Sequence, residues 1–356
     1  MWLQKMQAHA LRSFHDLEIV FEPGINVLFG DNGVGKTSIL EGIDVLSRGK
    51  SFRASKISQI INYDLSEILI YGEVVSNAEE ILKLGIKHQN NHAELHINQT
   101  KAKKWSELAV ILPIVDIHPE TYLLVMGGPS IRRKYLNWGV FHVEPSFLSI
   151  WREYTKALKQ RNCSLKARKY ADARNWHHVL SEKGEQISQL LVKYCTNLKP
   201  YVTALSEEFG LSNQIELSYA PGWDQNSSLF ELLENELMDD YPYTTQFGPH
   251  RGDLNITWGG KKFSKTSSRG QQKILSIVLK LAQAELLKKY SAKSCVYLID
   301  ELPAELDLNK RKIALNLLNS IDSQVIISAV TKDSIDCVNL TAKWFHVERQ
   351  AVSSMV

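Results

Sequence analysis

The chain has 356 residues, 44% hydrophobic and 23% charged, with a formal net charge of +3, so one large or two medium domains of an ordinary soluble globular protein are expected. Near-neutral charge requires any nucleic-acid contact to come from local clustering. Cys163, Cys195, Cys295 and Cys337 form no C-x-x-C pair, which argues against a zinc site or a disulfide framework and reads as reduced core thiols in a cytoplasmic protein. No apolar run approaches the ~20 residues of a membrane helix, and the alternating N-terminus lacks a signal-peptide core.

In chain order, Trp2–Ala8, Leu17–Phe21 and Ile25–Phe29 are strand-like, with Pro23-Gly24 as a turn between the last two. The third run opens into Gly30-Asp31-Asn32-Gly33-Val34-Gly35-Lys36-Thr37-Ser38, and a helical apolar face follows through Ile39, Leu40, Ile43 and Leu46. Gly49-Lys-Ser-Phe-Arg53 ends that helix with a basic turn. Residues 61–100 read as an antiparallel subsheet, with strands at Glu67–Tyr71, Ile81–Lys87 and Ala93–Ile97. Ala109–Val115 is a buried-strand candidate. From about residue 120 to 209 the pattern is helical, with Ile187, Leu191, Tyr194, Leu198, Val202 and Leu205 on one face. Ile215–Tyr219 alternates like a strand, and Leu254–Trp258, Gly259-Gly260 and Lys261–Phe263 read as a hairpin. A long helix is expected from Gly270 to about Tyr290, then the apolar strand Cys295–Ile299, a helix over Lys310–Leu318 and the strand Val325–Ser328.

Gly30, Gly35, Lys36 and Thr37 satisfy G-x-x-x-x-G-K-[ST], the phosphate-cradling P-loop. Glycines let backbone N–H groups turn around an anion, and the helix N-terminus adds partial positive charge. Residues Gly30 to Ser38 are therefore expected to bind a nucleoside triphosphate, with Lys36 at the β/γ-phosphates and the Thr37 hydroxyl on Mg²⁺. Cys295-Val-Tyr-Leu-Ile-Asp300-Glu301 has the form of a Walker B strand, offering Asp300 to Mg²⁺ and Glu301 to the attacking water. Ser268-Arg269-Gly270-Gln271 opens the long helix before it. Alone, that segment is an ordinary N-cap with Ser268 as cap.

The order P-loop, Ser-x-Gly-Gln, apolar strand with Asp-Glu resembles ABC-type ATPase heads. That resemblance implies a head-to-tail dimer in which Ser268 of one chain closes over ATP held by another. Ala304-Glu-Leu-Asp307 fits the D-loop of such heads, though a surface turn would read alike. The position after the last strand, Ile327-Ser328-Ala329-Val330-Thr331, has no switch histidine, leaving a hydroxyl such as Thr331 as γ-phosphate sensor. The segment between P-loop and signature is too short for long paired coiled coils. Between Arg132 and Trp176 eleven Lys/Arg stand against Glu144, Glu153 and Asp172, a basic helical patch suited to phosphate-backbone contact or simply a solvated face.

The chain resembles the RecF family through linked signatures. Leu11-Arg-Ser-Phe14 precedes the P-loop strand and Gly49–Arg53 follows its helix. Leu123-Leu-Val-Met-Gly-Gly-Pro129-Ser-Ile-Arg132-Arg133, Phe247-Gly-Pro-His-Arg251-Gly-Asp253-Leu and Ser268-Arg-Gly-Gln-Gln-Lys273 complete them. Gly128, Asn137 and Gly252 depart from the family pattern, as does Glu301-Leu-Pro303. The resemblance implies an α/β fold: an ABC-type ATPase head of mixed sheet with an antiparallel β-subdomain (1–108 and 225–356) and an inserted helical arm (109–224). It further implies a weak DNA-stimulated ATPase that uses ATP and Mg²⁺. Arg132, Arg133 and Lys134 would contact DNA at single-strand/double-strand junctions, and RecR, RecO and RecA would be partners in gap repair and the SOS response. Rival readings are a transport ATPase subunit with a membrane partner and a non-hydrolysing nucleotide-gated scaffold.

Overall fold

Three apolar strands dictate where the first sheet can lie: β3 (Ile25–Phe29), β12 (Val296–Ile299) and β13 (Val325–Ala329). Each is buried along nearly its whole length, as strands covered on both faces are. The computed structural model describes residues 1–54, 56–89, 92–211, 214–239, 243–291, 293–301, 306–335 and 340–355. These form two compact units, Met1–Thr121 with Leu287–Val356, and Tyr122–Leu286.

In the first unit the three strands join β8 (Ile114–Ile117), β14 (Ala342–Glu348) and β15 (Ala351–Met355) in the order β15-β14-β3-β13-β12-β8. Five run parallel, and β15 is antiparallel at the edge. Buried Asn26 within β3 exchanges hydrogen bonds with the Glu22 backbone, so this polar side chain is satisfied at the entry of the strand. A second, antiparallel sheet has the order β2-β1-β4-β5-β6-β7, comprising β1 (Trp2–Leu11), β2 (Phe14–Val20), β4 (Glu67–Val75), β5 (Ile81–Gln89), β6 (His92–Ile97) and β7 (Thr100–Ala102). Its strands alternate buried and open residues, as sheets with one covered face do.

Helix α1 (Lys36–Arg48) shares one core with both sheets, through Ile39, Ile43 and Leu46 beside Met6, Leu28, Ile70 and Phe345. Glycines allow the close approach: a Cβ on Gly42 would lie 2.3 Å from the Met6 methyl, and one on Gly72 would lie 2.3 Å from Leu46. The last turn of α1 is tied to β8, where Arg48 Nη2 donates to Asp116 Oδ1 at 2.8 Å.

The expected strand over 109–115 is corrected by the structure. Residues Trp105–Ile111 form α2, and the strand begins only at Ile114. A short apolar run is ambiguous between helix and strand; here Leu108 and Leu112, four apart, face inward as helical periodicity requires. Because β8 pairs with β12, the first unit extends past the boundary drawn at 108, and the second unit also takes in 225–286. Phe263 likewise starts a helical turn, α9 (Phe263–Thr266), instead of extending the hairpin strand β11 (Lys261–Lys262).

The second unit begins with α3 (Leu123–Met126) and α4 (Pro129–Val143). It continues through α5 (Phe147–Lys166), α6 (Tyr170–Arg174), α7 (His177–Glu208) and α8 (Leu229–Asp239). A small antiparallel sheet joins β11, β10 (Asp253–Trp258) and β9 (Ile215–Ala220). α10 (Arg269–Ser291) starts in this unit. Tyr154 on α5 holds the Gly248–Gly252 turn: its hydroxyl lies 2.6 Å from His250 Nδ1, while His250 Nε2 lies 3.0 Å from the Thr245 carbonyl. A carbonyl only accepts, so Nε2 carries the proton and the tyrosine donates to Nδ1.

Burial lowers the His250 pKa from 6.5 to about 4. The folded chain therefore binds this proton more weakly than the unfolded chain. The stability tied to neutral His250 is complete above about pH 6.5 and is lost as pH falls toward 4, at about 1.4 kcal/mol per pH unit. The urea midpoint should fall across this window, and His250→Gln should make that fall shallower.

Candidate functional site

The P-loop joins β3 to α1, and its glycines have specific steric reasons. Gly30 (φ +148°) would place a Cβ 2.2 Å from the Val347 carbonyl oxygen, and Gly35 (φ +114°) would place one 2.5 Å from the Phe14 ring. Asp31, Asn32 and Gly33 are exposed at the crest, with Val34 and Ser38 half-buried. Lys36, only 4% exposed, donates through Nζ to the carbonyls of Gly30 and Asp31, each at 2.7 Å. Burial lowers its pKa, while Glu301, Asp300 and Asp31 act in the opposite direction.

The strand ends bring the remaining groups together. Thr37 Oγ1 donates toward Asp300, 2.9 and 3.0 Å from its two carboxylate oxygens. Ser328 on β13 donates to Asp300 Oδ1 at 2.6 Å and accepts from the Glu301 N–H at 3.0 Å. Glu301 has φ +55°, a left-handed conformation uncommon outside glycine. The hydroxyl that meets Asp300 is thus that of buried Ser328, while Thr331, the hydroxyl expected as a γ-phosphate sensor, is exposed. The available signal was a lone hydroxyl inside the wholly buried strand Val325–Ala329.

Ser268 and Gln271 make a reciprocal capping box at α10: the Ser268 N–H donates to Gln271 Oε1 at 2.8 Å, and the Gln271 N–H to Ser268 Oγ at 3.3 Å. Ser268, Arg269 and Gly270 are exposed. Asp307 caps α11 (Leu308–Ser320), accepting from the Lys310 N–H at 3.0 Å. Leu302, Pro303, Ala304 and Glu305, the last two of which open the D-loop candidate Ala304–Asp307, lie outside the described residues, as does Cys337. Cys195 and Cys295 are buried thiols, but Cys163 is exposed and is not a core residue.

The basic patch divides once directions are known. Arg132 is 4% exposed; its Nε and Nη2 donate to Asp253 at 2.7 and 2.8 Å and its Nη1 to the Gly127 carbonyl. The expectation that Arg132 meets DNA is thus corrected, because its guanidinium is used inside the protein. It joins the two signature segments, Leu123–Arg133 and Phe247–Leu254. Arg133 donates to the Gly252 carbonyl at 2.9 Å, and Lys134 is exposed. Arg161 is fully buried, paired with Glu236 at 3.0 Å. Arg152, Lys156, Lys159 and Lys166 recur along the exposed face of α5. Tyr135 and Tyr154 are buried core aromatics. Gly252 faces Tyr219, whose hydroxyl would lie 2.3 Å from any Cβ there.

The residues present fit a nucleotide and a magnesium ion. Glycines leave the loop free of side chains where phosphates would approach, and Thr37 with Asp300 supplies adjacent hard oxygen donors. Fold and site together define an ABC-type ATPase head with an SMC-like sheet arrangement. The description "RecF/RecN/SMC N terminal domain" matches residues 2–353, and the chain belongs to this family, within it to the RecF group. The DNA replication and repair protein RecF of Pseudomonas aeruginosa is 36% identical over 360 residues, covering 99% of this chain and 98% of that protein. The RecF of Edwardsiella ictaluri is 35% identical over 358 residues, covering 99% and 100%. A solved structure of the recombination mediator protein RecF with ATP in the RecFOR pathway superposes with a TM-score of 0.89 at 27% identity, covering 100% of this chain and 98% of that one. An Smc head bound to the C-winged helix domain of ScpA, at 15% identity and TM-score 0.61, shares the fold.

Arg132→Gln should cost about 2–3 kcal/mol of stability by leaving Asp253 without its bidentate partner. Lys134→Gln should leave the urea midpoint unchanged.

Proposed function

We propose that the chain is an ATP-dependent, DNA-binding recombination mediator with a slow, DNA-stimulated ATPase. The observation that carries this reading is the meeting of Lys36, Thr37, Asp300 and Glu301 at the ends of neighbouring parallel strands. Phosphoryl transfer requires a phosphate cradle, a metal carboxylate and a water-orienting acid in one place. In this reading residues Gly30 to Ser38 hold ATP. Lys36 turns from the Gly30 and Asp31 carbonyls to the β/γ-phosphates. Thr37 and Asp300 would hold Mg²⁺, which when bound would supply positive charge beside the phosphate oxygens. Glu301 orients water.

Ser268, Arg269, Gly270 and Gln271 present an exposed helix start suited to the γ-phosphate of a second chain, with Asp307 at the dimer seam. ATP then closes a head-to-tail dimer, and hydrolysis releases it. The α5 stripe of Arg152, Lys156, Lys159 and Lys166, with Arg133 and Lys134, supports binding to the phosphate backbone of gapped DNA at single-strand/double-strand junctions. Family membership supports action in the cytoplasm with RecO and RecR, assisting RecA in gap repair, replication restart and SOS induction. Among the described residues no helix is long and apolar enough to cross a membrane.

Light scattering with ATP, with and without gapped DNA, should show a monomer-to-dimer change. Lys36→Met should abolish ATP binding. Ser268→Arg should keep ATP binding, lose about 1 kcal/mol of cap stability and stay monomeric. A Ser268→Arg chain that dimerises with ATP would refute the sandwich.

A further inference from the structure

Ser328 is fully buried in the middle of the candidate site, and its hydroxyl bridges the Asp300 carboxylate and the Glu301 backbone N–H. A hydroxyl has one proton to give and lone pairs to receive. Its proton goes to Asp300 Oδ1 at 2.6 Å, a short contact to a charged acceptor. Its oxygen receives the Glu301 N–H at 3.0 Å. Strand order makes this possible: β13 lies between β3 and β12, with Ile327 opposite Ile299 and Ser328 opposite Leu28. A side chain at 328 therefore reaches the end of the neighbouring strand, where the two acids emerge.

We infer that Ser328 is a positioning residue that couples the metal-facing carboxylate of Asp300 to the backbone of Glu301. The inference deepens the ATPase reading and rests on it. Thr37 fixes the Asp300 carboxylate from the helix side and Ser328 fixes it from the strand side. The same Ser328 oxygen holds the first N–H beyond Asp300, where the chain enters the left-handed turn at Glu301 (φ +55°). A left-handed non-glycine residue persists only when its surroundings hold it. Ser328 is the side chain that the structure places on that N–H. Thr37, Asp300, Ser328 and the Glu301 backbone thus form one continuous chain of hydrogen bonds. Any displacement of the Asp300 carboxylate is felt at the residue assigned to orient water.

Ser328→Ala removes both bonds, Ser328→Cys keeps the volume with a weak donor, and Ser328→Thr keeps the hydroxyl. The test measures the full-length chain in three ways: affinity for a fluorescent ATP analogue at saturating Mg²⁺, the Mg²⁺ midpoint of that binding, and kcat. For Ser328→Ala and Ser328→Cys, affinity at saturating Mg²⁺ should stay within about twofold, the Mg²⁺ midpoint should rise about fivefold, and kcat should fall about tenfold. Ser328→Thr should return all three to within about twofold of the parent. The cysteine variant keeps the test decisive if the alanine variant does not fold. Parent-like Mg²⁺ midpoint and kcat in a folded Ala or Cys variant would overturn the coupling while leaving the nucleotide reading intact. A parent chain without Mg²⁺-dependent ATP binding would overturn both, and is seen before any variant is compared.

Discussion

Asp300 at the end of β12 is the point on which the site depends. It is 5% exposed, and its carboxylate takes hydroxyl donors from both the P-loop helix and the neighbouring strand. A buried carboxylate is costly unless its lone pairs are filled. Thr37 and Ser328 fill them, and each can do so only because β3, β13 and β12 are adjacent and parallel, so that their C-terminal ends open on the same side. Register and electrostatics therefore constrain each other. A slip of one residue in β13 would turn Ser328 to the opposite face and remove a donor from Asp300.

Much of this arrangement was legible in the chain. The apolar strands Ile25–Phe29, Val296–Ile299 and Val325–Ala329 announce themselves because burial on both faces forbids polar alternation. The P-loop glycines are legible because few residues tolerate the backbone they adopt. β14 and β15 are not legible in the sequence. Trp344 and His346 are partly open, so the run lacks the continuous apolar character of its neighbours, yet β14 pairs directly with β3. The α2 segment shows the opposite failure: Leu108 to Leu112 is apolar enough for a strand but too short for its period to decide. Ser328 was hidden by its company, since one hydroxyl in an apolar strand does not reveal which neighbour it meets.

Charge was the least legible property, because composition counts charges without directions. The stretch from Arg132 to Trp176 is strongly basic, but two of its arginines are structural. Arg132 clasps Asp253 and Arg161 pairs with Glu236, both from segments far along the chain. These ion pairs explain why acids outside the stretch matter to it. They also leave other charges of the stretch, among them the α5 stripe, Lys134, Arg168 and Lys169, exposed where solvent and a polyanion can meet them.

The start of α10 shows why an ordinary cap and a phosphate site need not be rival readings. The capping box satisfies the Ser268 and Gln271 N–H groups, and the Gln272 N–H reaches the Ser268 carbonyl. In the first turn, the N–H groups of Arg269 and Gly270 have no intrahelical acceptor. They sit at an exposed positive helix end with a cationic side chain, and Gly270 carries no Cβ to hinder an approaching oxygen. Capping by Ser268 fixes the direction in which those donors point. The same side chain that stabilises the helix thereby preorganises the proposed trans contact. Arginine at 268 disturbs both functions, and their separation requires comparing cap stability with assembly.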